Sequence, residues 1–203
     1  PISNNLTLQG GTLTNTGAGI GTHKRQNYNI TLTADSVISG VSDYYSLNNG
    51  YNVHTLTLNG HTLTKRGTCA FGFYNANIEG GDGTIVVEAG TLRVQPHDSN
   101  VRTLKDVTFV EQGGTVKISA PVTLSGTVTL DGGTCSAAVT VTADSKVRGT
   151  GTISGALTLN SGAKIEVYSL AEPLKLTGNY PATITMSTME GLEYPAMVVP
   201  ILS

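Results

Sequence analysis

Five carboxylates in the middle of the chain are spaced closely enough to suggest acid–base chemistry. They are Asp82, Glu88, Asp98, Asp106 and Glu111. Cleavage of a glycosidic bond needs two carboxyl groups roughly 5–10 Å apart in one cleft, and His97 beside Asp98 could act as an acid–base partner. However, most aspartates stand in turn sequences, and the Asn-Thr-Asp, Asp-Asp and Gly-His-Gly signatures of polysaccharide hydrolases are absent. The pattern favours a non-catalytic protein, and a carbohydrate-active enzyme, either a polysaccharide lyase or a glycoside hydrolase, stays open as the alternative.

A second group of candidate residues lies in a polar, tyrosine-bearing segment that interrupts the surrounding strand pattern. Tyrosine rings can stack on sugar faces and supply a hydroxyl group, and neighbouring Asp and Asn side chains add hydrogen-bonding partners. We therefore predict a binding site for a glycan or a host-surface protein, although the rings could instead fold back over the end of a coil. The predicted ligand-binding residues are Tyr44, Tyr45, Tyr51, Asp43 and Asn49, on a projecting loop at about 41–53.

Metal and cofactor sites are not predicted. The four histidines (His23, His54, His61 and His97) are scattered along the sequence, and Gly80-Gly-Asp-Gly is only a fragment of a calcium-binding glycine-rich repeat. His23-Lys24-Arg25 forms a basic cluster that could bind an acidic glycan or a phosphate, or could be a solvated loop. Because the net charge is −2, no nucleic-acid partner is expected.

The elements that would carry these residues are short β-strands. Hydrophobic residues make up 38% of the 203 positions and aromatic residues only 5%, so Val, Ile and Leu must fill the core. Threonine is in surplus, at about thirty residues, and its branched side chain suits a strand while its hydroxyl group can face water. Strands of alternating apolar and polar residues follow one another, and each ends in Gly, Asn or Asp.

An internal repeat favours a solenoid. Ile30–Gly40 matches Val139–Gly149 in its Thr-x-Thr-Ala-Asp-Ser core, and the spacing of 109 is roughly five coils of about 22 residues. We predict an all-β parallel β-helix in which Val128 points inward and Thr127 outward, with an antiparallel β-sandwich as the alternative. Cys69 and Cys135 would lie about three coils apart, which argues against a disulfide but leaves it open.

Two segments make up the predicted organisation. Residues 1–172 would form the coils, and the proline-rich residues 173–203 would form a C-terminal cap or a last irregular coil, because proline cannot donate to a strand ladder. Pro1 opens in the middle of a Thr/Asn-rich pattern, so we expect a mature or excised chain.

The segments 55–64, 78–92 and 122–130 resemble the autotransporter-associated β-strand repeats of bacterial secreted passenger proteins. The nearest match to that repeat is Ile-Glu-Gly-Gly-Asp-Gly-Thr-Ile-Val-Val-Glu-Ala-Gly-Thr-Leu, residues 78–92. The resemblance implies a right-handed, single-stranded β-helix, extracellular or displayed on a bacterial surface, that acts as an adhesin or a rigid stalk. It carries over no catalytic residues and no cofactor. Contact with a membrane is expected only through other parts of a parent chain.

Overall fold

The computed structural model describes residues 4–15, 24–26, 28–40, 45–47, 53–95, 100–166 and 172–178. Within these residues all the regular structure is β-strand, and every strand pair runs parallel, so the predicted parallel β-helix is confirmed and the antiparallel sandwich is wrong. The strands are β1 (Asn4–Gln9), β2 (Thr12–Asn15), β3 (Lys24–Gln26), β4 (Tyr28–Ala34), β5 (Ser36–Gly40), β6 (Tyr45–Leu47), β7 (His54–Thr57), β8 (Thr62–Arg66), β9 (Ala70–Tyr74), β10 (Ala76–Val87), β11 (Thr91–Gln95), β12 (Arg102–Glu111), β13 (Thr115–Ile118), β14 (Val122–Asp131), β15 (Thr134–Cys135), β16 (Val139–Val141), β17 (Lys146–Gly149), β18 (Thr152–Ile153), β19 (Leu157–Leu159), β20 (Lys164–Glu166) and β21 (Lys175–Leu176).

The strands form three faces. The first face follows the order β1-β4-β7-β10-β12-β14-β16-β19, and the third face is a separate eight-stranded sheet in the order β3-β6-β9-β11-β13-β15-β18-β21. The second face contains β2, β5, β8, β17 and β20. The long strands β10, β12 and β14 bend, so that their first halves belong to the first face and their second halves to the second. Each of the eight levels therefore adds about 4.8 Å to the rod.

Inward-pointing residues stack in columns that seal the interior. On the first face Ile30, Leu56, Ile78, Leu104, Leu124 and Val141 are successive register partners, and each is at most 2% exposed. Full burial of such a side chain contributes about 1.5–3 kcal/mol. Val128 is likewise 0% exposed, and Thr127 is only partly covered, so the predicted inward and outward faces of β14 are confirmed.

Outward positions of the first face form a polar column of asparagine and threonine side chains. Asn29 Nδ2 donates to Asn5 Oδ1 at 3.1 Å, and the amides of Thr55 and Thr103 donate to the Asn side chains one coil earlier. A short polar side chain at each level can thus bond the backbone of the next level and still face water. The column runs through Asn5, Asn29, Thr55, Asn77, Thr103, Thr123, Thr140 and Thr158.

The corner between the first and second faces is made by residues with positive φ. Asp82 has φ 66°, Asp106 has φ 46° and Gly126 has φ 64°. Asp and Asn tolerate this left-handed conformation better than other non-glycine residues, because their side chains bond nearby backbone groups. Asp106 Oδ1 accepts a hydrogen bond from the amide of Thr127 at 2.8 Å, which joins one coil to the next. The Asp and Gly residues at these positions therefore bend the long strands at the corner between the first and second faces.

The two copies of the internal repeat lie five levels apart, as predicted, but not in register. Ile30 stands in the same column as Val141, which lies two residues beyond its sequence match, Val139. The reason is that coil length varies: 26 residues separate the partners Ile78 and Leu104, and 17 separate Leu124 and Val141, by the difference of their numbers.

What the two repeat copies share is a corner serine. Ser36 Oγ accepts from the amide of Gly10 and donates to Ala34 O. Ser145 Oγ does the same with Gly126 and Ala143. The repeated phrase therefore encodes a local bond between neighbouring coils, and the register is set elsewhere.

Both cysteines are buried and free, so no disulfide forms between them. Cys69 precedes β9 and Cys135 lies in β15, three levels further along the third face, as the sequence spacing predicts.

A buried lysine lies at the end of β8. Lys65 is 1% exposed, and its ammonium group donates to Arg66 O, Gly67 O and Ala89 O at 3.1, 2.6 and 2.8 Å. This one side chain bonds the corners of two successive coils.

The start of the predicted C-terminal cap continues the stack. β21 pairs in parallel with β18 on the third face, and Leu174 and Leu176 pack against the core. The division predicted at 172/173 and the cap itself remain predictions, because residues 179–203 lie outside the described residues.

Candidate functional site

The predicted tyrosine-loop site is only partly covered by the structure. Tyr44, Tyr51, Asp43 and Asn49 lie outside the described residues. Tyr45 opens β6, where its register partner is Phe71, a core residue that is 0% exposed. Its backbone is thus at the register position of an inward column, and its role in binding stays a prediction.

The candidate carboxylates divide between two corners of the rod. Asp82 and Asp106 stand at the corner between the first and second faces. Glu88 and Glu111 stand at the other end of the second-face strands. Because the second face separates the two pairs, they do not converge on one cleft. Asp98 and His97 lie outside the described residues.

The carboxylates of Glu88 and Glu111 each bond a specific partner. Arg66 Nε donates to Glu88 Oε2 at 2.7 Å, and this bond lowers the pKa of the Glu88 carboxyl and raises that of Arg66. Glu111 Oε1 accepts a hydrogen bond from the amide of Val116, at the start of the third face. Both interactions hold the corner between the second and third faces.

The described histidines are not grouped for metal binding. His61 Nδ1 lies 3.7 Å from Asp35 Oδ1, and burial lowers the pKa of His54. Over the part of the chain that the structure covers, no three His, Cys, Asp or Glu side chains come together as a metal site would require. His23 and His97 lie outside the described residues.

A polar column on the outside of the third face forms the candidate site. Arg93 in β11 is the register partner of Lys117 in β13, which in turn is paired with Thr134 in β15. The column continues through Thr152 to Lys175 at the C-terminal end. These residues alternate with buried neighbours such as Leu92 and Val94, so the strand period turns their side chains outward.

Two adjacent outward columns enclose a shallow groove of about 450 Å³ across the levels of β11, β13 and β15. Its lining combines two cations, one amide and three hydroxyl groups. The lining residues are Arg93, Gln95, Lys117, Ser119, Thr134 and Ser136.

The third face differs in charge from the other two faces. Among its described strand residues there are basic side chains but no Asp or Glu. In the described part of the chain, the carboxylates that precede β13 and β15 belong to the corner before the third face, where Glu111 bonds the Val116 amide and Asp131 accepts from the hydroxyl group of Thr150. Asp98, three positions after Gln95, lies outside the described residues. The groove lining thus combines two cations with neutral hydrogen-bonding groups, which suits an anionic, hydroxyl-rich ligand.

One end of the groove is closed by an aromatic ring. Tyr74 packs its ring directly over Gly72, where a Cβ atom would overlap the ring. Gly72 is the register partner of Arg93, so the Tyr74 ring occupies the outward column one level before the groove begins. Tyr74 is only 7% exposed, and it therefore forms an end wall more than a stacking platform.

The sequence carried a signal for this groove that our sequence interpretation missed. Thr91-Leu-Arg-Val and Thr115-Val-Lys-Ile place a cation between two apolar residues of a strand, and that pattern predicts an outward-facing cation. The pattern did not show that Arg93 and Lys117, which are 24 positions apart in the sequence, are register partners on neighbouring levels.

No protein-family model matches the chain, and neither curated proteins nor solved structures gave a match. Within the described ranges no helix is long and apolar enough to cross a membrane.

Proposed function

We propose that this chain is a non-catalytic β-helix module of a secreted or bacterial cell-surface protein of the adhesin or passenger type, and that it acts as a rigid stalk. The observation that carries the proposal is the continuous parallel register through eight levels of the first and third faces. In such a stack each coil is bonded to its neighbours along the whole axis, so the module holds two ends apart at a fixed distance.

The use of the carboxylates supports a structural role. Asp35 Oδ1 accepts from the amide of Thr62, and Asp106 Oδ1 accepts from that of Thr127. Glu166 bonds Lys146 and Arg148 across neighbouring strands of the second face. A catalytic pair would need carboxyl groups free to exchange protons with a substrate, whereas these serve as bonds between coils.

The surface location is supported by the outward polar columns and by the resemblance to passenger repeats. Threonine and asparagine columns keep a long rod hydrated with few charges, and charged residues make up only 13% of the chain. A glycan or a host-surface protein would then be the partner of the exposed faces.

The stalk proposal can be tested by changing the number of coils. Residues 122–138 make one complete turn, because Val139 is the register partner of Val122. Three further copies of residues 122–138, inserted after Ala138, should lengthen the folded rod by ~14 Å. The matched control inserts three copies of residues 122–133, which lack the third-face strand and should disrupt folding.

Two measurements decide the outcome. Small-angle X-ray scattering gives the maximum dimension, and a chain fused between a membrane anchor and a fluorophore gives the height of the fluorophore above the membrane by energy transfer. We expect both to increase with the added coils. A folded variant of unchanged length would contradict the rod, and release of reducing sugar from any polysaccharide in a panel by the unaltered chain would contradict the non-catalytic role.

A further inference from the structure

We propose that the groove on the third face binds a short stretch of an acidic polysaccharide whose charge comes from uronic-acid carboxylates. This inference assumes the surface exposure of the proposed function but goes beyond it, since a stalk needs no ligand. The groove lies along the rod axis, on the face whose described strands carry cations and no carboxylates.

The two cations of the groove lining lie on neighbouring levels of the rod. Arg93 and Lys117 are register partners, so their backbones are one level apart, ~4.8 Å along the axis. Arg93 is partly exposed and Lys117 is exposed. A linear polysaccharide lying along the axis would pass both cations in succession, and each could bond one carboxylate oxygen of the chain.

The groove lining contains more neutral polar residues than cations. Four neutral polar residues accompany the two cations in the lining, namely Gln95, Ser119, Thr134 and Ser136. The side chains of Ser119, Thr134 and Ser136 are exposed. A uronic acid residue likewise has one carboxylate and several hydroxyl groups, which can donate to and accept from Ser, Thr and Gln. A heavily sulfated polysaccharide, with several sulfates on each sugar, carries more charge than the two cations of this lining can match.

Nucleic acid fits the groove less well than a polyuronate. Single-stranded nucleic acid is bound by aromatic rings that stack the bases, together with a run of cations along the backbone. The lining contains no aromatic residue, and Tyr74 is buried over Gly72 at the end wall. The net charge of −2 also gives the whole chain no general attraction for polyanions.

The length of the groove limits the bound segment. Three levels span ~10 Å from β11 to β15, which accommodates about two to three sugar residues. The end wall at Gly72 prevents the ligand from extending towards β9, whereas Thr152 and Lys175 continue the outward column in the other direction. A longer chain would therefore extend towards the C-terminal end of the described stack.

The experiment uses the whole chain and measures binding by isothermal titration and affinity electrophoresis at low ionic strength. The test ligand is polygalacturonate, and its methyl ester has the same backbone without the charge. Dextran sulfate and a single-stranded oligonucleotide represent the other polyanions. The test variant is Lys117→Gln, and the matched control is Lys105→Gln, an equally exposed lysine on the first face.

We expect polygalacturonate to bind and its methyl ester not to bind. Lys117→Gln should raise the dissociation constant about tenfold, the usual effect of losing one charge-assisted hydrogen bond, and Lys105→Gln should leave it unchanged. Absence of polygalacturonate binding by the folded chain would overturn the proposal. Equal weakening by both variants would also overturn it, because diffuse charge would then explain the binding.

Tighter binding of dextran sulfate or of the oligonucleotide than of polygalacturonate would overturn the proposed ligand class and favour the polyanion that binds more tightly. The scattering measurement of rod length is independent of every ligand result. A negative result in the titration would thus leave the stalk proposal intact, and a short or unfolded rod would be seen without any ligand.

Discussion

Replacing Lys65 by methionine removes an ammonium group that bonds the corners of two successive coils. Methionine keeps the apolar stem and nearly the same volume, so the core packing is retained. Three backbone carbonyls, those of Arg66, Gly67 and Ala89, would lose their shared donor. A side chain at position 90 could not supply the missing donor, because Gly90 has a φ of 68° and a Cβ atom built there would lie 2.9 Å from the Lys65 Nζ and 2.5 Å from Cys69 O.

The magnitude follows from two opposing effects. A buried acceptor without a donor costs about 1–3 kcal/mol, and the three carbonyls affected are part-buried, so each costs an amount near the lower end of that range. The change also removes the cost of holding an ammonium group away from water, since Lys65 is 1% exposed. We expect a net loss of about 2–4 kcal/mol in the free energy of unfolding. Lys105→Met, at an exposed position, should change it by at most about 0.5 kcal/mol.

Urea unfolding followed by circular dichroism measures the effect. With a denaturant dependence of about 2 kcal/mol per molar urea, the midpoint of Lys65→Met should fall by about 1–2 M. If Lys65→Met and Lys105→Met unfold at the same urea concentration as the unaltered chain, the ammonium does not hold the two corners together and the reasoning is refuted.

The pH dependence gives a second test of the same site. Desolvation by burial lowers the pKa of Lys65 below its ordinary value of 10.5. In the window between the lowered pKa and 10.5 the unfolded chain binds more protons than the native one, so the free energy of unfolding rises with pH. Lys65→Met lacks this rise, and its deficit relative to the unaltered chain should grow as the pH approaches 10.5.

Three further predictions concern packing, corner geometry and thiol burial. Val128→Asp should unfold the rod, because it puts an unpaired charge into the inward column at a cost of several kcal/mol, whereas Thr123→Asp on the outward column should be tolerated; circular dichroism distinguishes them. Gly126→Ala should cost about 2 kcal/mol or more in urea unfolding, because φ is +64° and the new methyl group would overlap a carboxylate of the preceding coil, while Gly11→Ala, with open space around it, should change little. Burial raises the pKa of Cys135 to about 12, so its thiol should not react with an aromatic disulfide reagent at pH 8 until the chain is unfolded; rapid reaction of the native protein at this thiol would contradict its burial.

Thr123 is a better surface control than Thr127, which the sequence alone would have offered. The amide of Thr127 donates to Asp106 Oδ1 at 2.8 Å, so a second carboxylate at position 127 would stand beside the first. The sequence correctly predicts that Thr127 faces outward, but the neighbour it meets on the next coil is visible only after the strands are stacked.

The sequence by itself determined the strand period, the composition of the core and the residues at the corners. Alternation along Val122–Asp131 predicts which side of the strand is buried, because successive side chains of a strand point to opposite sides. Asp106 and Gly126 predict bends, because they tolerate a left-handed backbone. Such signals are local, because each depends only on residues within one short segment.

Only the tertiary structure decided which residues of different coils become neighbours. Coil length varies from level to level, so a repeat such as Ile30–Gly40 and Val139–Gly149 does not reveal the columns. The groove depends on Arg93 and Lys117 meeting on adjacent strands, and the division of the carboxylates between two corners depends on the same stacking. The physical reason is that register between parallel strands is set by the sum of all turns and bulges between them, and no single segment contains that sum.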